Sequence, residues 1–165
     1  MTAITQPGIE DLYREHALGL VRFALLLTGD RATAEDVVQD AFLGLHRHWD
    51  EVRDPDRLLA YLRTAVVNGS RSRHRRRLTA LRLRPEPLAL VQSAEASALA
   101  GEDRRVLLAA VGALPRRQRE VLALKYFVDL GEQDIAAMLG ISRGAVASTA
   151  SRALAALARQ FREES

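Results

Sequence analysis

The sequence predicts an all-α chain: two small helical domains joined by a linker, the C-terminal one a helix-turn-helix. Apolar residues recur at helical spacing through most of the 165 residues. No run alternates apolar and polar residues as a half-buried strand would. Between the two helical stretches, residues 85–100 open with Pro85-Glu86-Pro87 and continue through a small-residue segment, the composition of a linker with local helical tendency.

In chain order, Ile9, Leu12, His16, Leu20, Phe23 and Leu27 form an i, i+3/i+4 stripe, which predicts an amphipathic helix over 9–28 ended by Thr28-Gly29-Asp30. Thr33-x-x-Asp36 fits a capping box and starts a second helix that carries Val37, Val38, Ala41, Phe42 and Leu45 to about Trp49. Asp54-Pro55 places an N-cap before a proline at the first helical position, so a third helix runs from 55 to about 77. After the linker, helical patterning resumes over 102–113 and breaks at Leu114-Pro115. It continues from Arg116 to Tyr126, breaks around Asp129-Leu130-Gly131, and ends in two helices, 132–139 and 143–162, separated by Gly140-Ile141-Ser142.

Composition narrows the class. The chain is 48% hydrophobic and 27% charged, which argues against wholesale disorder. Its apolar runs, Phe23 to Leu27 among them, are far short of the ~20 residues of a membrane span. Met1 to Gly8 shows no secretion signal, and the absence of cysteine removes disulfides, thiolate nucleophiles and cysteine zinc sites. A soluble cytoplasmic chain is expected. The net charge of +3 conceals blocks of opposite sign. Residues 30–56 carry −5, residues 57–84 carry +9 with no acid, and residues 85–165 are balanced. Such blocks imply two differently charged partners rather than one uniform field.

The strongest local signal is Glu132-Gln-Asp-Ile-Ala-Ala-Met-Leu-Gly-Ile-Ser-Arg-Gly-Ala-Val146. Ala136 is the small residue where two helices cross, and Gly140 tolerates the left-handed turn between them. Ile135, Leu139, Ile141 and Val146 face the core, and Ser142 caps the second helix. That helix carries four Arg and no acid from Ser142 to Arg162. Arg143, Ser148, Thr149 and Arg152 are its candidate major-groove face.

Two further features carry charge. Arg71-Ser-Arg-His-Arg-Arg-Arg77 places five Arg in seven residues at the end of the third helix, a density that suits phosphate. Tyr61 and Asn68, seven residues apart on one helix face, suit an unstacked base. Asp36, Gln39 and Asp40 line the side of the second helix opposite its apolar stripe. His46-Arg-His48 offers no metal site, since i and i+2 positions point to different faces. No glycine-rich phosphate loop or Ser-His-Asp set supports an enzyme, and no cofactor is expected.

Taken together, the chain resembles the small two-domain RNA polymerase sigma factors of bacteria, the extracytoplasmic-function group of the sigma-70 superfamily. Thr28-Gly-Asp-x-x-x-Ala34-Glu-Asp-Val-Val-Gln-Asp-Ala-Phe42 is similar to the family's polymerase-binding helix. Tyr61-Leu-Arg-Thr-Ala-Val-Val-Asn68 with the arginine run is similar to its −10 helix. Leu114-Pro-Arg-Arg-Gln-Arg-Glu-Val-Leu122, the helix-turn-helix and Ser151-Arg-Ala-Leu-Ala-Ala-Leu157 are similar to its −35-binding domain.

The resemblance implies a region 2-like domain over 1–84, a linker over 85–100 and a region 4-like domain over 101–165. It implies that Asp36, Gln39 and Asp40 face the clamp helices of the largest subunit of core RNA polymerase, with the C-terminal domain on the flap. Arg53, Asp54, Arg57, Tyr61 and Asn68 would hold a flipped −10 base, and Arg71, Arg75 and Arg76 would meet promoter backbone. Ser142, Arg143, Ser148, Thr149 and Arg152 would meet the −35 element, and an anti-sigma factor is a further candidate partner. Relatives often carry Trp where Tyr61 stands and Asp where Ser72 stands, and basic residues where Ala147 and Thr149 stand. The alternative reading is a conventional helix-turn-helix repressor or activator, which would dimerise to read two half-sites.

Overall fold

A computed structural model describes residues 8–52, 54–81 and 94–163, with side chains over 8–52, 54–80 and 101–163. Seven α-helices make up the described chain: α1 (Ile9–Thr28), α2 (Arg31–Arg47), α3 (Pro55–Leu81), α4 (Ala94–Gly112), α5 (Arg116–Leu122), α6 (Glu132–Leu139) and α7 (Arg143–Glu163). Trp49–Glu51 forms a 3₁₀ turn, and α5 continues into a π-helical turn over Ala123–Phe127. No strand occurs among the described residues, and no described helix is long and apolar enough to cross a membrane.

Local chemistry explains the boundaries. Gly29 ends α1 in the left-handed conformation at φ 72°, its N–H donating to the Leu25 carbonyl. The next residue caps α2. Asp30 is extended, and its carboxylate accepts from the Thr33 backbone N–H (3.0 Å) and hydroxyl (2.6 Å). The expected start at Thr33 is therefore two residues late: Thr33 donates to the cap instead of being it. The helix also ends earlier than expected, at Arg47, because residues 49–51 tighten to a 3₁₀ turn. At the start of α3 the Asp54 carboxylate accepts from the Asp56 N–H at 3.1 Å, the cap that Asp54-Pro55 predicts.

The third helix runs four residues past the expected end, through Thr79 and Leu81. Asn68-Gly69, a hairpin dipeptide by composition, lies inside it. Here a Cβ on residue 69 would sit 3.1 Å from Val37 Cγ1, so glycine lets α3 approach α2. Of the expected linker 85–100, residues 94–100 are helical, and the kink in α4 falls at Gly101 (φ 69°), one residue before helix was expected to resume. Residues 85–93 lie outside the described residues.

The apolar stripes meet as the periodicity requires. Leu12, Leu20, Phe23, Ala24 and Leu27 of α1 pack with Val37, Val38, Ala41, Phe42 and Leu45 of α2 and Leu58, Leu62, Val66 and Val67 of α3. The same core continues into Val121, Leu124, Ile135, Leu139, Val146 and Ala150. A smaller cluster joins α4, α5 and α7 through Val111, Leu114, Leu122, Ala153 and Leu157, and Leu26 of α1 packs against it. So α1 touches both halves of the chain, lying against α2 and α3 on one side and α4, α5 and the π turn on the other.

Candidate nucleic-acid and protein interfaces

The helix-turn-helix forms as the sequence predicts. Gly140 is left-handed (φ 67°, ψ 37°), and the N–H groups of Gly140 and Ile141 close the end of α6 onto the Ala136 carbonyl. Ser142 Oγ accepts from the Ala145 N–H at 3.1 Å and caps α7. Arg143, Ala147, Ser148, Ser151 and Arg152 are exposed along one face, with Arg152 reaching back to Ser148 Oγ at 3.5 Å. Thr149 is corrected: it is 6% exposed and shares the buried stripe of Val146, Ala150 and Ala153. Three residues after Val146, it falls one helical turn along the inward face, so its hydroxyl does not join Ser148 and Arg152.

At the start of α3, Asp54 and Arg57 are exposed and pair loosely at 4.0 Å. Tyr61 is half-buried between α3 and α2. Its ring lies 6.5 Å from that of His48, and its hydroxyl stands 3.0 Å from where a Cβ on Gly44 would be. Asn68 is exposed. Arg53 lies outside the described residues.

The arginine run separates by face. Arg75, Arg76 and Arg77 project into solvent. Arg73 turns to the acidic helix, 2.8 Å from Asp40 and 3.6 Å from Asp36. Asp36, Gln39 and Asp40 are themselves exposed, as expected of the face opposite the apolar stripe.

Arg71 does something the sequence does not announce. Its Nε and Nη2 donate to the two carboxylate oxygens of Glu120, at 2.7 and 2.8 Å, across 49 positions of chain. Glu120 is 3% exposed and also lies 3.8 Å from Arg116 and 3.5 Å from Arg117. The bidentate bond holds the Arg71 guanidinium firmly protonated. Beside it is a cavity of about 10 Å³ lined by Leu27, Ser70, Arg71, His74, Arg116, Arg119 and Glu120, with room for no more than a water. Burial, and then Arg119, Arg116 and Arg77, push the His74 pKa down. Arg119 is 5% exposed, and burial lowers its pKa too. Sequence reasoning missed Glu120, Arg116, Arg119, His74 and the Arg73 clamp. A lone acid inside Arg116-Arg-Gln-Arg-Glu120 was the one available signal.

With these surfaces in view, comparison with known proteins is decisive. The Sigma-70 region 2 family model matches residues 12–79, and the Sigma-70, region 4 model matches residues 104–157. An RNA polymerase sigma-E factor of Streptomyces avermitilis is 32% identical over 154 residues, covering 92% of this chain and 84% of the relative. The ECF RNA polymerase sigma factor SigL of Mycobacterium tuberculosis is 34% identical over 160 residues, covering 92% and 88%. Among solved structures, the sigma factor RpoE of Bartonella quintana, in complex with the anti-sigma factor NepR, superposes with a TM-score of 0.75 at 26% identity over 93% of this chain and 98% of that one. CnrH, in complex with the cytosolic domain of CnrY, gives a TM-score of 0.67 at 26% identity, covering 95% and 89%.

Proposed function

Because the chain belongs to the extracytoplasmic-function group of sigma-70 RNA polymerase sigma factors, and so directs transcription initiation, we propose how its surfaces divide that work. Residues 1–84 bind core polymerase and the −10 element, 85–100 connect, and 101–165 bind the −35 element and the flap. Asp36, Gln39 and Asp40 dock on the clamp helices of the largest subunit. Asp54, Arg57, Tyr61 and Asn68, with Arg53, take an unstacked −10 base, while Arg71, Arg75 and Arg76 hold backbone phosphate. Arg143, Ser148 and Arg152, set by the Ser142 cap, read the −35 duplex. The chain supplies no catalytic group of its own and works in the cytoplasm beside polymerase. RpoE is in complex with the anti-sigma factor NepR and CnrH with the cytosolic domain of CnrY, which supports an anti-sigma factor as a candidate partner of this chain.

The observation that carries this reading is the exposed, acid-free face of α7 behind a capped turn, on the same chain as an exposed acidic face on α2. The test is to mix the protein with core polymerase, follow co-elution by size exclusion, and assay transcription from genomic fragments. Co-elution with promoter-specific transcripts is expected. A dimer that binds duplex half-sites and ignores core polymerase would overturn it in favour of a repressor or activator.

A further inference from the structure

We infer that Glu120 stands on Arg71 in the place of a promoter phosphate, so that the free chain is latched closed over part of its own DNA-binding surface. The role given to Arg71 on DNA rests on the sigma-factor reading. The latch itself rests on geometry.

The two residues belong to the two family-model segments, Arg71 within 12–79 and Glu120 within 104–157. Two near-parallel charge-assisted bonds, 2.7 and 2.8 Å, use the guanidinium fork as a phosphate would use it. A fork engaged this way has its Nε–Nη2 edge closed to DNA backbone. The neighbouring Arg75, Arg76 and Arg77 are exposed, so the carboxylate masks one phosphate site and leaves the rest of the run open.

The ion pair is also built to exchange partners. When Arg71 departs, Glu120 keeps Arg116 and Arg117 of its own helix within 3.8 and 3.5 Å, so no buried carboxylate is stranded. Cations outnumber it: Arg71, Arg116, Arg117 and Arg119 gather about this single acid. Ser70 Oγ and Arg119 Nη1 are buried beside the cavity with no hydrogen-bond partner among the described residues. A phosphate arriving at Arg71 therefore exchanges one anion for another while the C-terminal half retains its own pairing.

The chain has no cysteine, so Glu15→Cys and Gln133→Cys, both at exposed positions, give a doubly labelled protein for energy transfer between the halves. Glu120→Gln keeps the shape and removes the charge. It should lengthen and broaden the inter-label distance and tighten binding of a mixed-sequence single-stranded DNA oligonucleotide about tenfold, the scale of one charge-assisted contact. The salt dependence of that binding should steepen by about 0.7 in slope, one additional single-strand phosphate. Arg71→Gln breaks the same pair from its more accessible side. It should open the protein equally, with no gain in affinity or slope. Far-UV helicity confirms that each variant is folded. Wild-type distances and affinity in folded Glu120→Gln would overturn the latch. So would opening without tighter binding, or tighter binding without opening. Core-polymerase binding by the unmodified chain is measured separately, so failure of the sigma-factor reading is seen there and not in the distances.

Discussion

Arg143 and Arg76 are both exposed arginines, yet their surroundings set them different tasks. Arg143 is at the first position of α7, beside the Ser142 cap, where one guanidinium can address a base edge. Arg76 sits in a run too dense for each member to read a base. In holoenzyme, Arg143→Ala should change which −35 bases are preferred, at about 1–3 kcal/mol for the affected position. Arg76→Ala should weaken every promoter alike and flatten the salt slope by about one unit. A randomised promoter library transcribed at two salt concentrations checks both. His74 carries a pH prediction. It faces Arg77 on its own helix and Arg116 and Arg119 on α5, with Arg71 and Glu120 lining the same cavity, and its folded pKa lies below the ordinary 6.5. A base with a depressed folded pKa leaves stability complete above its unfolded value and reduces it as pH falls below 6.5. Thermal midpoints should therefore fall between about pH 7 and pH 5.5 more in the parent than in His74→Gln. An unchanged pH profile in the variant would remove His74 from that role.

At the scale of the element, caps and stripes decide what each helix presents. Gly29 closes α1 and Asp30, the next residue, opens α2; the bonds from Thr33 lower the Asp30 pKa. The stability it contributes is present above the unfolded value of 3.8 and is lost as pH falls through the lower folded value. Asp30→Ala should cost about 1 kcal/mol near neutral pH, read by urea denaturation, and much of that difference should vanish in strong acid. On α2 the exposed acids are already bridged by Arg73. An exposed pair of this kind contributes at most about 1 kcal/mol, so Asp40→Asn should leave the fold intact. If Asp40 lies at the polymerase contact, the same change should weaken core binding more than tenfold, since breaking a desolvated charge pair costs about 2–5 kcal/mol. Fluorescence anisotropy with core polymerase measures it, and undiminished binding would assign Asp40 to Arg73 alone.

Across the whole molecule, sites that share a bond should respond together and distant ones should not. Asp40→Asn and Arg143→Ala share no partner and should add within about 0.5 kcal/mol in promoter-dependent transcription. Arg71→Gln and Glu120→Gln share one bond, and their effects on the melting transition should be non-additive by about 0.5–3 kcal/mol. Much of this molecule was legible in the chain alone. Periodicity of 3.6 residues placed the helices because each buries one stripe, and Gly140 with Ser142 marked the turn because left-handed backbone and N-capping are local requirements. The charge blocks and the order of motifs identified the family for the same reason: they are written within short stretches of sequence. What depends on the angular setting of a helix against its neighbours was not legible. Thr149 turned inward because the buried stripe of α7 passes through it, although its polarity suggested an outward face. Arg71, Arg73 and Arg75 are alike in composition and lie two residues apart, yet the packing of α3 sends one to Glu120, one to Asp40 and one to solvent. The pairing of Arg71 with Glu120 spans 49 positions and exists only because α1 brings the two halves together, and no local pattern encodes a contact between side chains that meet only in the folded molecule.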